Sequence, residues 1–315
     1  MLHLRAVAAQ PVYRTPSGLV ELYHADCVSW LAEQPNDSFE AVVTDPPYGV
    51  FEYSPSQIRK LRVGRGGVWR IPPKLGGYRR SPLPRFTVLD QEQLTAIERF
   101  FSQWASALLP KVVPGAHVFI ATNPLLSHLV SGALTRAGFE KRGEIVRLTE
   151  TLRGGDRPKN AEQEFPDVTV MPKSAWEPWL LFRRPCQGTV AENLRRWRTG
   201  ALRRTTNGPF RDVIISRPTR PEERRLAPHP SLKPQAFMRL IVRAALPLAC
   251  GTVLDPFAGA GSTLAACDAL GYCGVGVEID SEYVRLAADA ILPLAQLPNR
   301  DLAEVQSPQA RLPLQ

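Results

Sequence analysis

The sequence predicts an α/β fold, doubly wound around a mostly parallel sheet, and three observations carry that prediction. Short apolar runs of strand length alternate with segments of helical period. One such run passes through a glycine-rich turn into a helix, and another stops abruptly on Asp-Pro-Pro. Alternation of strand and helix places helices on both faces of a parallel sheet.

In chain order, Leu19–Tyr23 reads as a strand, Val28–Gln34 as a helix and Glu40–Thr44 as a strand running into Asp45-Pro46-Pro47-Tyr48-Gly49, where two prolines and a glycine end it. Tyr53–Leu89 is rich in Gly, Pro and Arg, has no clean period, and is too long for an ordinary connection. Asp90 reads as an N-cap, with Gln93 three residues on, for a helix through Leu109 whose Leu94, Ile97, Phe101, Trp104 and Leu108 share one face. Ala116–Ala121 is a strand, Leu125–Ala137 a helix, and Ile145–Leu148 and Trp179–Phe182 are strands. Cys186–Pro228 has many turn formers and weak periodicity. Lys233–Leu246 reads as a helix, Thr252–Leu254 as a strand, Ser262–Leu270 as a helix, Gly274–Glu278 as a strand and Ser281–Leu292 as a helix. The expected organisation is 19–182, an inserted basic segment 183–228, and 229–298, with loose tails at 1–18 and 299–315.

Composition narrows the classes. No run of 18 apolar residues occurs, and Met1–Gln10 lacks the charged-then-apolar pattern of a secretory signal. Five cysteines without a Cys-x-x-Cys pair argue against a zinc site or disulfide framework and suit a reducing cytoplasm, and no metal is expected. The net charge of +9 is unevenly spread. Residues 59–85 hold nine Lys/Arg and no acid, and 183–225 hold twelve Arg against four acids, so the rest of the chain is net acidic. Two basic segments on an acidic body suit a polyanionic partner, although solvated Pro/Arg-rich loops would look the same.

Two constellations carry chemistry. In Asp255-Pro256-Phe257-Ala258-Gly259-Ala260-Gly261-Ser262-Thr263 a strand delivers a glycine turn that opens a helix. Glycines let the backbone approach a ligand, and the helix N-terminus offers N–H groups to an anion. Glu278 ends the next strand about twenty residues on, where an acid can accept ribose hydroxyls. The spacing is not Gly-x-Gly-x-x-Gly and no Gly-Lys-Ser/Thr is present, which turns the reading away from dinucleotides and P-loop chemistry toward a nucleoside cofactor. The second constellation is Asp45-Pro46-Pro47-Tyr48. An exocyclic base amine is a poor nucleophile because its lone pair is delocalised. The Asp45 carboxylate and the Pro46 carbonyl can each accept one of its hydrogens and free that pair. Pro46-Pro47 stiffens the backbone, and Tyr48 can stack on an extruded base.

Together these residues resemble the amino-methylating DNA methyltransferases that carry Asp-Pro-Pro-Tyr with a Phe-x-Gly-x-Gly cofactor loop, here Phe257-Ala258-Gly259-Ala260-Gly261. The order, catalytic motif first and cofactor loop last, resembles the permuted β group of N6-adenine/N4-cytosine enzymes. His229-Pro230-Ser231-Leu232-Lys233-Pro234 resembles that group's motif for the methionine end of the cofactor. Tyr23-His24-Ala25-Asp26-Cys27 looks like the segment whose acid contacts the cofactor's adenine. The resemblance implies a Rossmann-like methyltransferase fold, S-adenosylmethionine as cofactor, and a prokaryotic, nucleoid-associated setting in restriction–modification. Double-stranded DNA with base flipping would be the partner, the enzyme a monomer or homodimer, and 183–228 the target-recognition segment. By the same resemblance Asp at position 45 favours adenine N6, with cytosine N4 and RNA as alternative targets and a non-enzymatic DNA-binding module as a rival. One departure is plain: Ile145–Lys159 has no Trp-x-Lys-like strand of the kind that lines the base pocket in many relatives.

Overall fold

The structure, a computed structural model, describes residues 10–47, 74–75, 78–79, 89, 91–149, 157–158, 160–229 and 231–298. The elements are β1 (Tyr13–Arg14), β2 (Val20–His24), α1 (Cys27–Glu33), β3 (Phe39–Thr44), β4 (Lys74–Leu75), β5 (Tyr78–Arg79), α2 (Gln91–Leu108), β6 (Val112–Ala121), α3 (Ser127–Ala137), β7 (Glu140–Leu148), β8 (Trp176–Arg183), α4 (Val190–Trp197), β9 (Val213–Ile215), α5 (Pro221–Leu226), α6 (Gln235–Ala245), β10 (Thr252–Asp255), α7 (Ser262–Leu270), β11 (Cys273–Glu278) and α8 (Ser281–Gln296). Nine strands form one sheet in the order β1-β2-β11-β10-β3-β6-β8-β7-β9, while β4 and β5 pair separately. The run β2-β11-β10-β3-β6 is parallel throughout. The strand β8 lies antiparallel to both of its neighbours, β6 and β7.

Strand alternation sorts side chains between two helix layers. Val20, Ala41, Phe119, Trp179 and Val253 share a core with α6, α7 and α8. Their neighbours along the strands, such as Val42, Val118, Leu180 and Leu254, share the other core with α1, α2 and α3. The sheet is thus covered on both faces, as its apolar runs predict. No helix among the described residues is long and apolar enough to cross a membrane.

The differences from expectation have local causes. The strand expected at Ile145 begins at Glu140, because Glu140–Glu144 is polar and held by pairing with β8 rather than by an apolar pattern. The expected N-terminal tail is folded from residue 10: Tyr13 pairs with Leu22, and the Ser17 hydroxyl donates to Asp268 at 2.6 Å. Residues 1–9 and 299–315 lie outside the described residues, as does most of the first basic segment.

The second basic segment does not form one surface. Its first part sits at the amino ends of the parallel strands. There Asn193 Nδ2 donates to the carbonyls of Pro114 and Thr199, and Arg203 Nη1 donates to the Tyr272 hydroxyl at 2.6 Å. Arg183 is committed to Glu140, and Arg184 to Asp37. The chain then runs along β7 as β9 and arrives at the opposite, carboxyl end, where α5 forms.

Candidate active site

In an open parallel sheet, ligands settle outside the carboxyl ends of strands where the connections diverge. Here that point lies between β10 and β3, which are parallel neighbours with Val253 opposite Ala41 and Leu254 opposite Val42. From β10 the chain continues to β11 on one side, and from β3 to β6 on the other. The two motifs therefore meet at one crevice although more than 200 residues separate them. The Thr44 hydroxyl donates to Asp255 Oδ1 at 2.6 Å, and the Thr263 hydroxyl reaches the Val43 carbonyl at 3.3 Å. Pro46 is buried and Pro47 exposed at the strand end. Tyr48 lies outside the described residues.

The glycine turn is tied to this junction. Asp255 is buried, and its Oδ1 also accepts the Phe257 amide at 3.2 Å. Burial raises its carboxyl to about 6, against the lowering effect of its hydrogen bonds from Thr263, Thr44 and the Phe257 amide. Gly259 and Gly261 have φ of 49° and 79°, and a Cβ on Gly261 would lie 2.5 Å from Ile291 Cγ1, so only glycine fits there. Gly261 caps α7 without a side chain, which leaves the N–H groups of Ser262 and Thr263 at an open helix start. Phe257 packs against Phe100 and Trp104, anchoring the turn to α2.

Glu278 ends β11 beside this turn. Its carboxylate accepts the Gly259 amide and the Asp280 amide, each at 2.8 Å, which sets the turn against the neighbouring strand end. Burial raises its pKa, and those amide bonds oppose the rise. Asp26 follows β2, whose His24 is in register with Glu278. Asp26 itself N-caps α1 by accepting the Ser29 amide at 2.9 Å. The His229 imidazole stands edge-on to Tyr283, 4.5 Å between centroids, and beside Gly259. Burial first, then the Lys233 ammonium, lowers its pKa to about 4, so it is neutral at physiological pH.

Lys233 is paired with two carboxylates. Its ammonium lies 2.6 Å from Asp45 Oδ2, after β3, and 2.9 Å from Glu177 Oε1, on β8. Burial works against the ammonium, but Asp45 and Glu177 outweigh it and hold its pKa above the ordinary lysine value. Glu177 Oε2 accepts from Arg147 Nη1 at 2.7 Å, and Arg147 Nε donates to the Ser216 hydroxyl at 2.9 Å. The backbone around Lys233 is held by buried Glu223, which accepts the amides of Arg220 and Gln235 at 2.7 Å each. Gln235 Nε2 in turn donates to the Ser262 carbonyl at 2.9 Å, which joins this loop to the start of α7.

Sequence reasoning missed Glu177, Arg147 and Gln235. A signal existed for the first two: each is a charged residue at an inward position of an apolar strand, Glu177 in step with Trp179 and Arg147 in step with Ile145. Buried charges of that kind need partners.

Known proteins resemble this chain in family and fold. A family model described as DNA methylase, for N6/N4 methyltransferases, matches residues 39–289. The type II methyltransferase M.HindIII of Haemophilus influenzae is 23% identical over 296 residues, covering 86% of this chain and 94% of that protein. M.ScaI of Streptomyces caespitosus is 22% identical, covering 93% and 87%. Among solved structures, the M1.HpyAVI–SAM complex superposes with a TM-score of 0.55 at 18% identity, covering 87% of this chain and 99% of that one. The cytosine-N4-specific PvuII DNA methyltransferase gives 0.58 at 13% identity, covering 94% of each chain.

Proposed function

The chain belongs to the N6/N4 DNA methylase family, and from that premise we propose that it methylates the N6 amine of adenine in double-stranded DNA. It is an S-adenosylmethionine-dependent DNA methyltransferase; the choice of adenine, the extrusion of the base and the roles of individual residues are the proposal. The observation that carries it is the junction of the two motifs: Thr44 bonded to Asp255, which brings the Asp45 strand end and the glycine turn to one crevice.

The residues of the turn suit the cofactor. Left-handed Gly259 and Gly261 leave room at an uncapped helix start, whose N–H groups suit a carboxylate, and Glu278 lies at the adjacent strand end within reach of a ribose. Asp26 and His229 would flank the adenine and methionine ends. S-adenosylmethionine bound there supplies an electrophilic methyl group on sulfonium.

On the other side of the crevice, Asp45 and the Pro46 carbonyl would accept the two amine hydrogens and raise the nucleophilicity of the nitrogen. Tyr48 would stack on the extruded ring. The amine attacks directly, so no covalent enzyme–base adduct is required. Cytosine N4 is the alternative acceptor, favoured by the shared fold of the cytosine-N4-specific PvuII enzyme.

The test is to incubate the purified protein with S-adenosylmethionine and unmethylated DNA, digest to nucleosides, and identify the product by mass spectrometry. N6-methyldeoxyadenosine is expected. N4-methyldeoxycytidine alone would transfer the assignment to cytosine, and methylation of RNA in preference to duplex DNA would overturn the substrate class.

A further inference from the structure

We propose that Lys233, Glu177 and Arg147 form an alternating chain of buried charge that positions Asp45 and sets its basicity, with Glu177 as the member that tunes it. The proposal rests on the methyl-transfer reading above and adds three positioning residues to it. It also moves Lys233 from the cofactor to the catalytic carboxylate.

Four separate segments contribute to the chain: the end of β3, the loop before α6, and facing positions of β7 and β8, where Arg147 is directly opposite Glu177. The side chains of Lys233, Glu177 and Arg147 are 8%, 14% and 7% exposed. Charges so far from water persist only when paired. An apolar replacement of similar volume is often as stable, so such a chain is weak evidence for a stabilising role. Its terminus on Asp45 points to the reaction instead.

The order of charges matters. An ammonium bonded to Asp45 alone would draw density from the carboxylate and weaken it as an acceptor for the base amine. Glu177 takes part of that ammonium and returns negative potential to the site. Arg147 binds the other Glu177 oxygen and is itself fixed by Ser216 and by the Phe237 ring, 5.0 Å below its guanidinium. The four charges sum to zero. Lys233 binds Asp45 through Oδ2.

Removing Lys233 leaves two carboxylates facing each other, and like charges raise each other's pKa. The single-turnover rate of tritiated methyl transfer into unmethylated genomic DNA is measured from about pH 5 to pH 9, with S-adenosylmethionine affinity measured by calorimetry for each variant. Lys233→Met should move the acid limb of the pH–rate profile upward by about one to two units. Adding Glu177→Gln to Lys233→Met should move it back down, although a second group has been lost. Glu177→Gln alone should slow transfer about tenfold without an upward shift, because the undivided ammonium weakens Asp45 as an acceptor. Cofactor affinity should stay within about threefold throughout, well under 1 kcal/mol.

Where Lys233→Met does not fold, Arg147→Gln serves in its place. It frees the Glu177 charge and should give a smaller upward shift. A double variant whose acid limb stays with that of Lys233→Met, or an Arg147→Gln profile without a shift, overturns the proposal. So does a Lys233→Met that loses cofactor binding with an unmoved limb. A wild-type protein that transfers no methyl group to DNA refutes the underlying function instead, and so the two failures are distinguishable.

Discussion

Two aspartates end neighbouring strands of this sheet and are treated in opposite ways. Asp45, directly after β3, keeps 17% of its side chain exposed and is held by the Lys233 ammonium. Asp255, on β10, is 2% exposed and is held by the hydroxyl of Thr44 and the amide of Phe257, with its carboxyl raised to about 6 by burial. The difference teaches what each strand end is for. A cation beside a carboxylate favours its charged form. Hydroxyl and amide donors fix the Asp255 carboxylate in place and favour its charge, but burial outweighs them and makes that charge costly. In the proposed reading the β3 end acts on the ligand, and the β10 end holds the shape of a turn.

The sharpest way to break the contrast is Asp45→Ala. It should lower the methyl-transfer rate by at least about a thousandfold, the scale seen when a group acting only in the transition state is removed. Cofactor binding measured by calorimetry should be retained. Retained transfer would remove Asp45 from the chemistry altogether.

Gly261→Ala acts on the other end. Its Cβ would meet Ile291 at 2.5 Å in a left-handed backbone, so a loss of about 1–3 kcal/mol in chemical denaturation is expected, with S-adenosylmethionine affinity falling alongside it. Unchanged affinity would detach the turn from the cofactor.

Asp255→Asn sharpens the comparison through pH. The folded pKa of Asp255 lies above its ordinary 3.8, so the folded state holds a proton that the unfolded state releases. The stability due to that proton is complete below about pH 4 and is lost as pH rises through about 6. Asparagine has no proton to lose. Its melting temperature should therefore gain on that of the wild type as pH rises from about 4 to 7. Parallel melting curves across that window would contradict the buried, raised carboxyl.

The smallest effect is expected from Arg195→Ala with Arg196→Ala. These arginines lie on α4, which Asn193 pins to the start of β6, at the end of the sheet away from Asp45. DNA affinity and its salt dependence should be nearly unchanged. Loss of a phosphate contact would lower the salt slope by about one per residue, and a fall of that size would place DNA on both ends of the molecule.

Much of the fold was legible in the sequence because its signals are local. Proline and glycine stop β3 after Thr44, glycine opens α7, and the periods of the apolar runs separate strands from helices. The polar half of β7 was not legible, since Glu140–Glu144 is held by its partner strand and carries no pattern of its own. In the candidate site, the two motifs could be recognised singly, but Glu177 and Arg147 could not be joined to either. The arginine-rich stretch read as one surface because adjacency in sequence was the only distance available, and β9 carries its two parts to opposite ends of the sheet.

By itself, then, the sequence determined the α/β class, the order of most elements outside 1–18 and 186–228, and the two motifs proposed to carry the chemistry. These follow from backbone sterics and side-chain period over a few residues. Only the tertiary structure decided which charges meet. Lys233 and Asp45 are 188 positions apart, and their contact depends on the loop held by Glu223 and on the placing of β3 beside β10. Coulombic pairing acts through space and is strongest where water is excluded, so it is settled by the packed fold rather than by neighbours along the chain.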